Sequence, residues 1–181
     1  VSMNATVFSD VLAERAIELI ARYLPLAWAK GSNSEARYQM SVASTIAGLA
    51  FGSGGLGAVH ALAYPLGTEY HMTHGRTNAI MLPHVMQYNI GGSPVKYARI
   101  AQLTGRDIQG CSPIEAAALS VSAIKELLKS INVSCHIADY GIPKNDLPKL
   151  VDGGMKQARL FVPNPRDLSE QDVHSIYEEA F

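Results

Sequence analysis

The residues with the greatest capacity for chemistry in this 181-residue chain fall in one short stretch, where four of its six histidines stand close together: His60, His71, His74 and His84. Neutral imidazole suits divalent transition metals, and histidines delivered from two helices can meet at one ion when the connection between them folds the chain back. Here that connection is the segment 65–73. A histidine on its own is more often a hydrogen-bonded or exposed side chain than a ligand. The grouping in an otherwise apolar region therefore carries the expectation, not any single member. His60 and Tyr64 are four apart and share one helix face. Two imidazoles do not complete a four-coordinate site, and spacing alone nominates no further His, Cys, Asp or Glu to join them.

A neighbouring pattern invites a different chemistry. Gly52-Ser53-Gly54-Gly55-Leu56-Gly57 fits G-x-G-x-x-G, which in dinucleotide-binding folds cradles a pyrophosphate at a helix N-terminus. Its context opposes that reading. An Ala/Ser/Thr-rich segment of helical periodicity precedes it where a β-branched strand is required, and no acidic residue stands about 20 positions on to hold a ribose. The run reads instead as a Gly-rich helix break that permits close packing, and it is not the cofactor site.

Helices must position these groups, because nearly every periodic segment has helical spacing. Val7, Val11, Leu12, Ile17, Ile20 and Leu24 form an apolar stripe against Asp10, Glu14, Arg15 and Arg22. Gly31 and Ser32-Asn33-Ser34 break the chain, and a second helix follows over residues 35–51, apolar all round in its later turns and so expected inside. Ser93-Pro94 opens another helix. Ser112-Pro113-Ile114-Glu115 opens the next with both Pro and a capping-box Glu, and its buried face runs from Ile114 through Ala117, Val121 and Leu128 to Ile131. Asp146 is placed to cap a helix whose inner side is Leu147, Leu150, Val151 and Met155, weakened by Gly153-Gly154. Ser169 through Asp172 caps the last, which shows Val173, Ile176, Tyr177 and Ala180. No alternating run reaches strand length, and residues 159–162 are at most a short extended piece. The expected fold is all-α, a single helical bundle over residues 1–181 without internal repeats.

Composition narrows the partners. Fifteen Lys and Arg against sixteen Asp and Glu leave a near-neutral chain with no broad attraction for phosphate backbones, which argues against nucleic acid. Residues 38–68 contain no Asp, Glu, Lys or Arg, long enough to raise a membrane span. Their Gly, Ala and Ser content, the internal His60 and the amphipathic flanks favour a buried helix pair instead. Cys111 and Cys135 lack metal-ligand spacing and a secretory leader, so reduced thiols in the cytoplasm are expected. Val1 is not an initiator Met, and the start reads as a truncation or processing point.

The run from Gly55 through His60, Tyr64 and Pro65 to Gly67, followed by His74-Gly75, Asn78-Ala79 and Leu82-Pro83-His84, resembles the second signature of the iron-containing (group III) alcohol dehydrogenases. The motif is long and specific. The likeness covers essentially the whole chain, with Ala47-Gly48-Leu49-Ala50-Phe51 similar to the family's preceding helix and Asn164-Pro165-Arg166 similar to its C-terminal part. The resemblance implies a two-domain protein in which an N-terminal α/β domain binds NAD or NADP. A C-terminal helical domain of the dehydroquinate synthase-like type then holds a catalytic divalent metal, usually iron and sometimes zinc. By motif position His60 and His74 match the third and fourth metal ligands. The first two, an Asp and a His on a D-x-x-x-H helix, belong shortly before Val1, and that pattern occurs nowhere in the chain. The nucleotide domain and half the coordination sphere are thus expected outside it, and the chain alone is expected to be inactive.

Tyr64 departs from the family pattern, which often has a histidine there, proposed to relay the substrate proton. A phenol, which in general titrates near about 10, is a poorer base than imidazole, so Tyr64 is weighed equally as a catalytic group and a packing residue. His71 is expected at the surface or hydrogen-bonded to a ligand, and His84 beside Pro83 in a structural role. For the complete protein the resemblance implies hydride transfer between a small alcohol or aldehyde and NAD(P), with the metal as Lewis acid, in a dimer or larger assembly. The alternatives are a helical module without metal, and a zinc-dependent enzyme similar to glycerol dehydrogenase.

Overall fold

The structure, a computed structural model, describes residues 1–181 and contains eight α-helices, four short 3-10 turns and no strand. The chain is all-α, as the periodicity indicates. Its helices are α1 (Val7–Ala29), α2 (Ser34–Gly54), α3 (Ala58–Tyr70), α4 (His74–Asn89), α5 (Pro94–Leu103), α6 (Pro113–Ser130), α7 (Leu147–Met155) and α8 (Glu170–Ala180). Consecutive helices pair: α1 packs on α2, α3 on α4, α5 on α6 and α7 on α8. Short connections make neighbours of successive helices, as in other bundles.

Two apolar clusters hold the pairs together. The larger joins α3, α4, α7 and α8 through Leu62, Leu66, Ile80, Leu150, Val173 and Tyr177, all fully enclosed. Each large aliphatic side chain removed from water there contributes about 1.5–3 kcal/mol. The smaller cluster joins α4, α5 and α6 through Met86, Ile90, Tyr97, Ala117 and Val121. Helix α4 belongs to both and is the central element.

Pro65 does not end the first histidine-bearing helix. Helix α3 runs on to Tyr70, and the reversal is confined to residues 71–73. What accommodates the proline is α7: a Cβ built on Gly153 would stand 2.7 Å from Pro65 Cβ. Likewise a Cβ on Gly154 would meet Leu62 Cδ2 at 2.8 Å and the Tyr177 hydroxyl at 3.2 Å. The glycine pair that weakens α7 locally is what lets it lie against α3. Tyr177 ties the arrangement by donating its hydroxyl to the Leu62 carbonyl at 2.7 Å.

Several local expectations are corrected. The later turns of α2 are not enclosed, with Leu49 57% and Phe51 54% exposed; its buried residues are the small Ala36, Ala43, Ala50 and Gly54. Val7, Val11 and Ile114 are also exposed. Each sits on a terminal turn or on a face with no helix against it. Asp146 does not cap α7, because it lies in helical conformation and its carboxylate accepts instead from the Tyr70 hydroxyl at 2.7 Å. Residues Ala158–Phe161 form a 3-10 turn where a short extended piece was expected. The capping boxes at Ser112 with Glu115 and at Ser169 with Asp172 are both formed. Cys111 and Cys135 are unpaired. No single helix is long and apolar enough to cross a membrane, and α2 and α3, which share the charge-free run, are bent by 112° relative to one another.

Candidate metal centre

The break between α2 and α3 sets the geometry of the site. Gly55 takes a left-handed φ of 73°, a conformation that costs glycine nothing, and its N–H closes α2 on the Phe51 carbonyl at 2.8 Å. Gly57 then opens α3 without a side-chain cap. The glycine run is therefore a helix break, as its sequence context indicates, although Gly52 and Gly57 have nothing close enough to require them for packing.

From that break α3 turns Ala61, Leu62, Ala63, Pro65 and Leu66 into the core, which leaves His60 half-buried and Tyr64 49% exposed. His71 ends the helix at φ 54°, exposed, and Thr73 precedes His74, the first residue of α4. The reversal brings the His60 and His74 rings to 5.4 Å between centroids, tilted by 45°. The other two members of the sequence grouping are elsewhere. His71 points to solvent in the turn. His84 is buried on α4 with Nε2 2.8 Å from the Cys135 carbonyl, its ring 6.4 Å from that of His136. Its role is structural.

Burial, and then the neighbouring His74, hold the His60 imidazole below its ordinary value, so it is neutral at physiological pH. Neutral imidazole is the form that ligates. His60, but not His74, lines a cleft of about 790 Å³ whose wall is largely apolar, with Phe51, Leu56, Leu82 and Met86, and also carries Asn78, Asp10 and Asn89. Asn78, one turn after His74, donates from Nδ2 to the His74 carbonyl at 2.8 Å. Its Oδ1 is buried without a hydrogen-bond partner. Sequence reasoning placed Asn78 in the motif but gave it no contact with His74; the i, i+4 spacing on one helix face was the available signal.

No third His, Cys, Asp or Glu joins His60 and His74 in a group able to hold a metal ion. The donor set fits two corners of a divalent site: two imidazoles 5.4 Å apart, of which His60 is held neutral and lines a largely apolar cleft. A four-coordinate metal needs further ligands that these 181 residues do not bring to the spot.

Comparison with known proteins identifies the family. The family model described as "Fe-containing alcohol dehydrogenase family, C-terminal" matches residues 1–181. The 1,3-propanediol dehydrogenase of Klebsiella pneumoniae is 42% identical over 181 residues, covering 100% of this chain and 46% of that protein. The NAD-dependent methanol dehydrogenase of Bacillus methanolicus is 33% identical over 180 residues, covering 99% of this chain and 47% of that one. A crystal structure of a 1,3-propanediol oxidoreductase superposes with a TM-score of 0.95 at 42% identity, over 99% of this chain and 47% of its own. The chain thus spans about half the length of the curated relatives it matches. With the full-length match, the shared fold and the paired histidines of α3 and α4, this chain belongs to the Fe-containing alcohol dehydrogenase family, as its C-terminal part.

Proposed function

We propose that the chain is the metal-binding helical part of an NAD(P)-dependent alcohol dehydrogenase, with His60 and His74 as two ligands of a catalytic divalent ion, iron or zinc. The observation that carries this reading is the approach of the two rings to 5.4 Å from the first turns of α3 and α4, with His60 in the wall of a largely apolar cleft. The remaining ligands, an Asp and a His, would come from residues ahead of Val1, and NAD or NADP from an α/β domain facing the cleft. The substrate class is a small primary alcohol or its aldehyde, in keeping with the names of the propanediol and methanol enzymes.

A divalent metal held there supplies Lewis acidity to the alcohol oxygen, and NAD(P) supplies the hydride acceptor. The chain's own residues do the rest. His60 offers an unprotonated nitrogen because its cleft wall is poorly solvated. Phe51, Leu56, Leu82 and Met86 keep water from the carbon skeleton of the substrate, which strengthens every polar interaction made inside the cleft. Tyr64, one turn after His60, is half-exposed and its hydroxyl makes no hydrogen bond within the chain, so it is available to hydrogen-bond the substrate oxygen or to pass its proton outward.

In the full-length protein, His60→Ala and His74→Ala should each lower bound metal and turnover together, read by elemental analysis and an NAD(P)H assay. Normal metal content with normal rate in both variants would refute the assignment. Elemental analysis of the unaltered protein distinguishes iron from zinc.

A further inference from the structure

Asn78 stands in an unusual relation to His74. Its Nδ2 is 3.3 Å from Nδ1 and 3.4 Å from Nε2 of the same ring. A nitrogen nearly equidistant from both ring nitrogens at that range cannot lie in the ring plane, because the Cε1–H edge stands between them. The carboxamide therefore lies over the face of the imidazole. Both in-plane nitrogen edges, the directions from which a ligand bond forms, are left clear by it.

The amide is itself held. One of its N–H groups donates to the His74 carbonyl at 2.8 Å, so the contact with the ring is anchored to the first turn of α4. That bond is not needed by the carbonyl, which also accepts from Thr77 Oγ1 at 2.9 Å. Helix geometry thus gives no reason of its own for an asparagine here. Meanwhile Oδ1 is buried without a donor, a costly condition for an amide whose only purpose is to cap a satisfied carbonyl. His74 needs such a support, since it is exposed and stands at a helix terminus.

We infer that Asn78 is a positioning residue for the metal centre: its carboxamide, laid against the His74 ring, fixes the plane of that imidazole toward His60. Less rotamer freedom is then lost when the ion is bound, and affinity rises without any contact between Asn78 and the metal. The inference rests on the reading of His74 as a ligand.

The test uses the full-length protein, stripped of metal and titrated with Zn2+ against a chromophoric chelator, alongside thermal denaturation of the metal-free form. Asn78→Ala should weaken Zn2+ binding by about 10–100-fold while the metal-free melting temperature does not fall, since a buried unpaired amide oxygen is removed. Asn78→Gln, which restores an amide on a longer arm, should recover part of that loss. The proposal is overturned if Asn78→Ala binds Zn2+ within about two-fold of the unaltered protein, or if its loss of affinity is matched by a fall in metal-free stability. His74→Ala separates the two readings. If it loses Zn2+ affinity while Asn78→Ala does not, only the role of Asn78 fails; if His74→Ala binds normally, the ligand assignment fails and this inference with it.

Discussion

Replacing Gly153 by alanine tests the packing that places His60. Two opposing effects act at this position. An alanine in a helix interior is favoured over glycine by about 1 kcal/mol, because less backbone entropy is lost on folding. Against that, the new Cβ would sit 2.7 Å from Pro65 Cβ and 3.3 Å from Pro65 Cγ. The obstacle is a pyrrolidine ring fused to the backbone of α3, so it cannot rotate aside as a flexible side chain would, and α7 must move. Overpacking of this kind costs about 1–3 kcal/mol, with the rigid neighbour favouring the upper half of the range. The net expectation is a loss of about 1–2 kcal/mol, roughly a 5–30-fold fall in the folded-to-unfolded ratio. Gly48, inside α2, is the internal control: nothing lies within 4 Å of its projected Cβ. Gly48→Ala should therefore stabilise by about 0.4–1 kcal/mol. The assay is urea denaturation of full-length protein followed by helical circular dichroism, with both variants measured beside the unaltered chain. If Gly153→Ala raises the urea midpoint as Gly48→Ala does, the close approach of α7 to α3 is not what it is argued to be.

Three further outcomes are expected. Tyr177→Phe removes a buried hydrogen bond to the Leu62 carbonyl while keeping the ring in place, and should cost about 1 kcal/mol in the same urea assay. His84 is buried, and burial first, then nearby Lys125 and His136, push its imidazole below the ordinary value against the raising effect of its bond to the Cys135 carbonyl. The unfolded chain therefore binds the proton more readily. The stability contribution of neutral His84 is complete above about pH 6.5 and is lost as pH falls from there toward its lower folded value, by at most about 1.4 kcal/mol per pH unit. Unfolding titrations across that window should show a smaller slope in His84→Gln. Tyr64→Phe should lower kcat at saturating substrate several-fold, whereas Tyr64→His should move the rising limb of the pH–rate profile to lower pH, since imidazole titrates below a phenol. Unchanged kinetics in both would reduce Tyr64 to a surface aromatic.

The sequence by itself was enough for the helical class, the breaks at Gly31 and Gly55, and the capping boxes at Ser112 and Ser169, because each depends on residues within a few positions of one another. His60 and His74 were singled out from the four clustered histidines only by the resemblance of the motif around them to the family's second signature, not by their spacing alone. Burial was less legible. Leu49 and Phe51 look like interior residues, yet each is more than half exposed, since hydrophobicity records what a side chain prefers and not which surface is covered. Pro65 looked like a helix end, but glycines far along the chain in α7 make room for it within α3. The same long-range dependence governed Asp146, which Tyr70 drew away from its capping role. That the His60 and His74 rings stand 5.4 Å apart, and that Asn78 Nδ2 lies over the face of one of them, followed only from the relative placement of α3 and α4. That placement is set by the core they share with α7 and α8, through contacts between residues more than seventy positions apart.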